Sequence, residues 1–222
     1  MPITVTESSP LLPVNLTTAL RHMRALKSDL DLVVLYLSAA VMAVEDYTGL
    51  ALLKKSYQLQ LDSWPNYRSF WPTFRSYVPT EVHPLWTSDN LRAIELRRSP
   101  LVSIDSIQYW NSDVSPMVLA TVAPVHYLTD KASVPGRLCF MEDGYTLPNV
   151  AKRPDAVQIN FTAGQGDVPS KIDPRAQLAV LMLAHEWYDH RAATSDLRYA
   201  PLPFGVQSIL RSLRVESLTE VK

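Results

Sequence analysis

The sequence predicts an α+β fold, in which a small helical bundle is interrupted by a mainly antiparallel β insertion. Apolar residues recur at helical spacing before residue 56 and again after residue 169. Between these positions the chain breaks into short β-like runs separated by turn residues. We therefore predict a helical core from residues 16–55 and 170–215, with two helices on each side of a β-rich insertion over residues 56–169.

The N-terminal part predicts an arm and two helices. Residues 1–15 contain three prolines and no periodicity, which predicts an extended arm that becomes ordered against a partner. A short first helix begins near Leu16, with Asn15 or Thr17 as its N-cap. The second helix begins after Ser28 or Asp29 and carries one wide apolar stripe. Gly49 suits the left-handed position that follows a last helical turn, so this helix should end near Thr48. The stripe consists of Leu30, Val33, Val34, Leu37, Val41, Val44 and Tyr47.

The insertion predicts six strands and one unusual loop. The β-like runs cover residues 56–64, 91–98, 102–110, 117–122, 136–141 and 156–164. The loop over residues 63–91 concentrates aromatic residues and prolines, and it includes Trp71 and Phe74. Two interpretations stay open for this loop: it packs on its own sheet, or it contacts a partner.

The C-terminal part predicts two more helices. Asp173 and Pro174 form an N-cap and first-turn pair, and residues 176–184 are apolar on nearly all sides. This third helix should therefore be buried on two sides or lie at a subunit contact, and we expect Leu181, Ala184 and Trp187 in the helical core near a subunit boundary. Residues 204–215 predict a last amphipathic helix, whose apolar face comprises Val206, Ile209, Leu210 and Leu213. Residues 216–222 form a tail that we expect to become ordered against a partner.

Composition narrows the function classes. Lysine and arginine total 21 and aspartate and glutamate total 22, evenly along the chain, so no strongly basic surface for nucleic acid is visible at the level of net charge. Cys139 is the only cysteine, which excludes an intrachain disulfide and thiolate-rich zinc sites. The longest apolar run, residues 32–44, is shorter than the about 20 residues that cross a bilayer, and the N-terminus lacks the pattern of a signal peptide. We predict no membrane partner and assembly in a cytoplasm.

The segment HEWYDH, residues 185–190, has the residue types of a zinc helix but not its spacing. A zinc protease helix carries its histidines four apart, on one face. His185 and His190 are five apart, which leaves them about 140° apart around a helix. The pairs at helical spacing, His185 with Asp189 and Glu186 with His190, predict ordinary side-chain pairs. A metal-dependent hydrolase using His185, Glu186 and His190 is the alternative.

Other candidate sites give weaker signals. His22, His83 and His126 lie in separate segments without carboxylates at ligand spacing, and the chain has no nucleophile elbow, phosphate-binding loop or dinucleotide fingerprint. Cys139 is expected to be a small core residue. The basic pairs at 97–98 and 152–153 predict solvated faces, with contact to a phosphate backbone as the alternative. We predict no catalytic residue, no metal and no cofactor.

Four motifs, taken in order, resemble the head-tail connector (adaptor) proteins of long-tailed bacteriophages, a group named for a possible role in DNA packaging. They are VEDYTGLALLKKSYQLQLDSWP (44–65), IELRRSPLVSIDSIQYW (94–110), VQINFTAGQGDVPSKIDPRAQLAVLMLAHEWYDHR (157–191) and LPFGVQSILRSLRV (202–215). The loop over residues 63–91 is longer than the pattern of that family, so the resemblance assigns it no role.

The resemblance implies a structural virion protein rather than an enzyme. It implies a ring, commonly of twelve copies, at the head-tail junction, assembled in the host cytoplasm. The ring would dock beneath the portal protein, pass genomic DNA through its bore and offer a platform to a neck, stopper or tail-completion protein. A DNA-binding packaging factor is a further alternative. The candidate contact residues are Leu181, Ala184, Trp187, Trp71, Phe74, Phe204, Ile209 and Leu213.

Overall fold

A computed structural model gives the fold over residues 3–7, 11–64, 92–140, 146–190 and 204–215. Within these residues the chain forms four α-helices and eight β-strands, and every pairing between strands is antiparallel. The predicted α+β class, with a β insertion between the second and third helices, is confirmed.

The helices begin and end where their capping residues allow. Helix α1 spans Leu16–Met23, and the Asn15 side chain accepts a hydrogen bond from the Thr17 N–H. Helix α2 spans Leu30–Thr48 and ends at Gly49, whose φ of 73° is the left-handed conformation that glycine adopts without strain. Helix α3 spans Pro174–Asp189, and helix α4 spans Phe204–Leu213. The Asp173 carboxylate accepts from the Arg175 N–H and thereby caps α3, as the sequence predicts.

The strands form two sheets among the described residues. Their bounds are β1 Ile3–Glu7, β2 Lys55–Leu61, β3 Arg92–Leu96, β4 Leu101–Asn111, β5 Val118–Thr121, β6 Tyr127–Asp130, β7 Gly136–Phe140 and β8 Val157–Ala163. The larger sheet has the order β1-β2-β8-β4-β5, and the smaller has the order β3-β7-β6. Strand β8 therefore lies at the centre of the larger sheet, between β2 and β4.

Strands β1 and β6 were not among the strands predicted from the sequence. Residues 3–7 fall in the predicted N-terminal arm, yet they pair with β2 in the register Ile3↔Leu59 and Val5↔Tyr57. This part of the arm therefore becomes ordered on the chain's own sheet, because β2 presents an open edge to it. Val14, at the end of the same arm, is 5% exposed and belongs to the helical core.

Two separate groups of apolar side chains hold the fold. The helical core combines buried residues of α1, α2, α3 and α4 with Leu50, Leu52 and Leu53. The β core lies under the inward face of the larger sheet, where alternating residues of β2 and β8 meet residues of the smaller sheet. Its largest fully buried side chains include Tyr57, Phe140 and Phe161, and the rings of Tyr57 and Phe161 stack at 5.5 Å.

Glu45 joins the end of α2 to the β part of the chain. This carboxylate is buried, accepts from the Leu52 N–H at 2.9 Å and pairs with the Lys55 ammonium at 2.6 Å. One residue along, Asp46 pairs with the Arg98 guanidinium at 2.6 Å, and the same guanidinium donates to the Glu45 carbonyl oxygen. Burial raises the pKa of the neighbouring Tyr57 hydroxyl well above its usual value, and the charge of Glu45 raises it further.

Among the described residues, no helix combines the length and the apolar character that crossing a bilayer requires.

Candidate functional site

The HEWYDH segment forms the last turns of α3 and the residue after it. His185 Nε2 lies 3.4 Å from an oxygen of Asp189, and His190 Nδ1 lies 3.2 Å from an oxygen of Glu186. These are the two i, i+4 pairs that the sequence predicts, and both are partly exposed to solvent. Within the described residues, no group of three histidine, cysteine, aspartate or glutamate side chains is placed to hold a metal ion.

His185 has a second neighbour that sequence reasoning missed. The ring of His22, on α1, meets the ring of His185 edge to face, with 5.3 Å between ring centres. Burial lowers the pKa of His22, and the nearby His185 lowers it further. The contact joins α1 to α3, and the order of the two helices along the chain gave no signal of it. Of the other two histidines outside this segment, His126 ends a short 3₁₀ turn and His83 lies outside the described residues.

Several contact candidates are occupied within the chain. Leu181 and Ala184 are buried in the helical core, and Trp187 packs against it while half-buried. On α4, Leu213 is buried in the same core and Ile209 packs against it. Leu181, Ala184 and Trp187 thus lie in or against the helical core as predicted, and the subunit boundary expected near them stays a prediction; within the chain, α3 packs on α1, α2 and α4.

Phe204, in contrast, is 86% exposed at the start of α4. Trp71 and Phe74 lie outside the described residues, as does most of the aromatic loop over residues 63–91. Trp64, at the start of the loop, packs on Phe140 and donates from its indole N–H to the Pro148 carbonyl oxygen at 2.8 Å. These contacts fix Trp64 on the β core.

In each of the two basic pairs, at 97–98 and 152–153, the arginine at the second position has a partner inside the chain. Arg98 contacts Asp46 and the Glu45 carbonyl oxygen, as described above. The Arg153 guanidinium lies 4.3 Å from the ring centre of Trp110 and pairs with Asp155 at 2.9 Å. Because these two guanidinium groups already have partners in the chain, they would have to give up those contacts to bind a phosphate backbone.

Cys139 is buried in β7, where the sequence predicts a small core residue. Burial raises the pKa of its thiol, with an opposing effect from Arg137. A protonated, buried thiol is a poor nucleophile, so the position of Cys139 offers no catalytic role.

Helix α2 carries an apolar surface that the sequence reading left out. Opposite its buried face, Leu32, Leu35 and Met42 are 39%, 62% and 65% exposed, and Ala39 lies between them in an exposed position. The sequence does contain this second surface, because residues 32–44 are apolar on both sides of a helix. The predicted stripe described only the side that is now mostly buried. This exposed side of α2 is an apolar surface available to a partner.

No protein-family model and no curated protein sequence matches the chain. Its fold, however, matches chains of solved particle structures over nearly the full length. For a chain in the neck of an empty GTA particle, computed with C6 symmetry, the TM-score is 0.71 at 20% identity, with 99% of this chain and 98% of that chain covered.

Two further matches come from structures of native particles. A chain in the virion of a native gene transfer agent (GTA) particle gives a TM-score of 0.68 at 21% identity. A chain in the neck of a native GTA particle, computed with C12 symmetry, gives 0.68 at 22% identity. Both alignments cover 99% of this chain and 98% of the other. At these identities the likeness establishes a shared fold.

Proposed function

We propose that this chain is a structural protein of a virion neck, acting as a head-tail connector (adaptor). The observation that supports the proposal most strongly is the match of the whole fold to chains of particle necks, with 98% of those chains covered and no large region left over. An enzyme fused to a neck-like fold would leave a region unmatched, and a chance likeness of a helical bundle would leave the β insertion unmatched.

The proposed assembly is a ring, most simply of twelve copies. The symmetry applied to the matching necks, C6 in one structure and C12 in another, is compatible with twelve chains around an axis. The ring would dock beneath the portal protein at the head-tail junction and offer its other side to a neck, stopper or tail-completion protein. Genomic DNA would pass through the bore, and assembly would take place in the host cytoplasm.

A structural role agrees with the geometry of the histidine segment. His185 and His190 each lie beside a carboxylate four residues away, Asp189 and Glu186, and no three such side chains of the described residues are placed to hold one ion. The hydrolase alternative would need both rings and Glu186 to turn toward one point. The packing-factor alternative would need basic groups that are engaged within the chain at Arg98 and Arg153.

Deletion of the gene, followed by electron microscopy and mass spectrometry of the particles, tests the proposal. We expect DNA-containing heads and free tails that do not join, and we expect the protein in purified wild-type particles at the neck. Complementation by a His185→Ala/His190→Ala variant separates the two classes, because a structural protein should restore joined particles and a metal hydrolase should not. Joined, infectious particles without the protein would refute the proposal.

A further inference from the structure

The exposed side of α2 forms a continuous apolar stripe, here called the α2 stripe: Leu32, Leu35, Ala39 and Met42. Spacings of three and four residues place these side chains on one side of the helix, opposite the buried Val33, Leu37 and Val44. Residues 32–44 contain no charged side chain. An apolar stripe of this kind on a helix surface is typical of a contact with another protein.

A second apolar surface lies on the larger sheet, at the edge that β5 forms opposite β1. We call it the β5 edge: Val114, Met117, Val118 and Leu119. Their side chains are 46%, 56%, 51% and 36% exposed, and residues 114–125 contain no charged side chain. In the described part of the chain β5 pairs with β4 alone, so the backbone groups of its other side face outward. Edge strands of isolated proteins are commonly protected by charges, which this one lacks.

The two surfaces are suited to each other. From Leu32 to Met42 the α2 stripe extends about 15 Å along the helix axis, at roughly 1.5 Å per residue. The β5 edge consists of two residues of the segment that leads into β5, Val114 and Met117, and of the first two residues of β5, Val118 and Leu119. Both surfaces are uncharged, so contact between them buries apolar area on each side without burying an unpaired charge.

We propose that the α2 stripe of one copy packs against the β5 edge of the next copy. The inference rests on the proposed ring, because a closed ring with rotational symmetry is built from two unlike surfaces, one on each side of every subunit. A contact of the α2 stripe with itself would close after two copies and leave the β5 edge uncovered. The occupant of each surface is therefore a second copy of this chain.

Thiol cross-linking tests which surfaces meet. The variants are Met42→Cys, Met117→Cys and the double variant, treated with a short bismaleimide; the native Cys139 is buried and serves as the background in all three. We expect the double variant to give a ladder of covalent oligomers on a denaturing gel, and each single variant to stay monomeric. A covalent dimer from Met42→Cys alone would show that α2 meets itself, and it would overturn the inference.

Charge substitutions give an independent measurement of the same contact. Leu35→Lys and Val118→Lys should each weaken self-association by at least about tenfold, since a lysine must lose its hydration to enter an apolar contact. Val134→Lys is the matched control, because Val134 is 61% exposed in the turn between β6 and β7, outside both surfaces. Mass measurement across a dilution series gives the association constants, and circular dichroism confirms that each variant is folded.

The outcomes separate this inference from the proposed function. If the wild-type chain forms rings and the Leu35→Lys and Val118→Lys variants form them equally well, the inference is wrong and the proposed function stands. If the wild-type chain forms no ring, alone or in purified particles, the proposed function fails and the inference fails with it. If the wild-type rings are lost in these two variants and retained in Val134→Lys, the inference is supported.

Discussion

Helices α2 and α3 belong to the same core and are both rich in apolar residues, yet they differ in how much of their surface the chain covers. Helix α3 packs on α1, α2 and α4, and Leu178 is its one exposed large apolar side chain. Helix α2 packs on α1, α3 and α4 from one side and leaves Leu32, Leu35 and Met42 exposed on the other. The central helix of the bundle is α3, whereas α2 lies at its surface.

The difference shows why apolar composition alone does not identify a contact surface. A helix that is apolar on all sides needs cover on all sides, but the cover comes from its own chain when the helix is central and from another molecule when it is peripheral. The sequence predicts a subunit boundary near Leu181, Ala184 and Trp187, which stays a prediction; within one chain Leu181 and Ala184 are buried in the helical core. The exposed surface, and with it the proposed contact, lies on α2.

The largest expected effect is at the end of α2, where Glu45 fixes the helix to the β part. Glu45→Ala removes the partner of Lys55, whose side chain is 15% exposed, and the acceptor of the Leu52 N–H. We expect the free energy of unfolding to fall by about 3–5 kcal/mol, because an unpaired ammonium is left in a poorly hydrated place. Urea unfolding of the monomer measures this change.

A double variant provides the control for Glu45. Glu45→Gln/Lys55→Met removes both charges and keeps an acceptor for the Leu52 N–H, so it should recover most of the lost stability. A loss below about 1 kcal/mol in Glu45→Ala would contradict the role of Glu45 as the joint between α2 and the sheet.

The next prediction compares the stability contributed by α3 with that contributed by the outer side of α2. Leu183 of α3 is fully buried, and Leu35 of α2 is 62% exposed. We expect Leu183→Ala to lower the free energy of unfolding by about 2–5 kcal/mol, through lost burial and the cavity it leaves. Leu35→Ala should change it by less than about 0.5 kcal/mol when measured at a dilution where the chain is monomeric. Similar losses in both variants would mean that the outer side of α2 is already covered within one chain.

The smallest effect concerns the cap of α3. Asp173→Ala should lower the free energy of unfolding by about 1 kcal/mol, because the side chain accepts from the Arg175 N–H, whereas Asp173→Asn keeps a capping acceptor.

The Arg175 guanidinium holds the pKa of Asp173 below its usual value of 3.8. A lowered folded pKa stabilises the fold above the unfolded value and loses that contribution as the pH falls. The stability difference between wild type and Asp173→Asn should thus be present at neutral pH and shrink below about pH 3.8. Thermal unfolding across this range measures it; a constant difference would contradict the assigned ionic contact.

Local signals predicted most elements of the fold. Gly49 and the Asp173–Pro174 pair fix the end of α2 and the start of α3 through capping chemistry that involves only neighbouring residues. Strand β8 was predicted because its alternating residues, from Val157 to Ala163, reflect a sheet with one buried side. Strand β1 was missed because the pairing that defines it depends on distant residues such as Leu59. Strand β6 pairs with the next strand, β7, and was missed because its four residues, YLTD, do not alternate between apolar and polar types.

Contacts between distant segments were the part that sequence reasoning could not reach. The meeting of His22 with His185 depends on how α1 lies against α3, and the anchoring of Arg98 on Asp46 depends on how β3 approaches α2. Neither follows from spacing along the chain. The exposed side of α2 required knowing which helix is central, which is a property of the whole bundle rather than of either helix.

The central position of β8 and α3 has a consequence for the order in which the protein is completed during synthesis. Both elements come from residues 157–189, yet their main partners, β2 and β4 for β8 and α1 and α2 for α3, are translated much earlier. A nascent chain that ends before Val157 has β2 and β4 without the strand that joins them, and α1 and α2 without their main packing partner. Neither core has all its elements until the last third of the chain is translated, so we expect both cores to close late in synthesis.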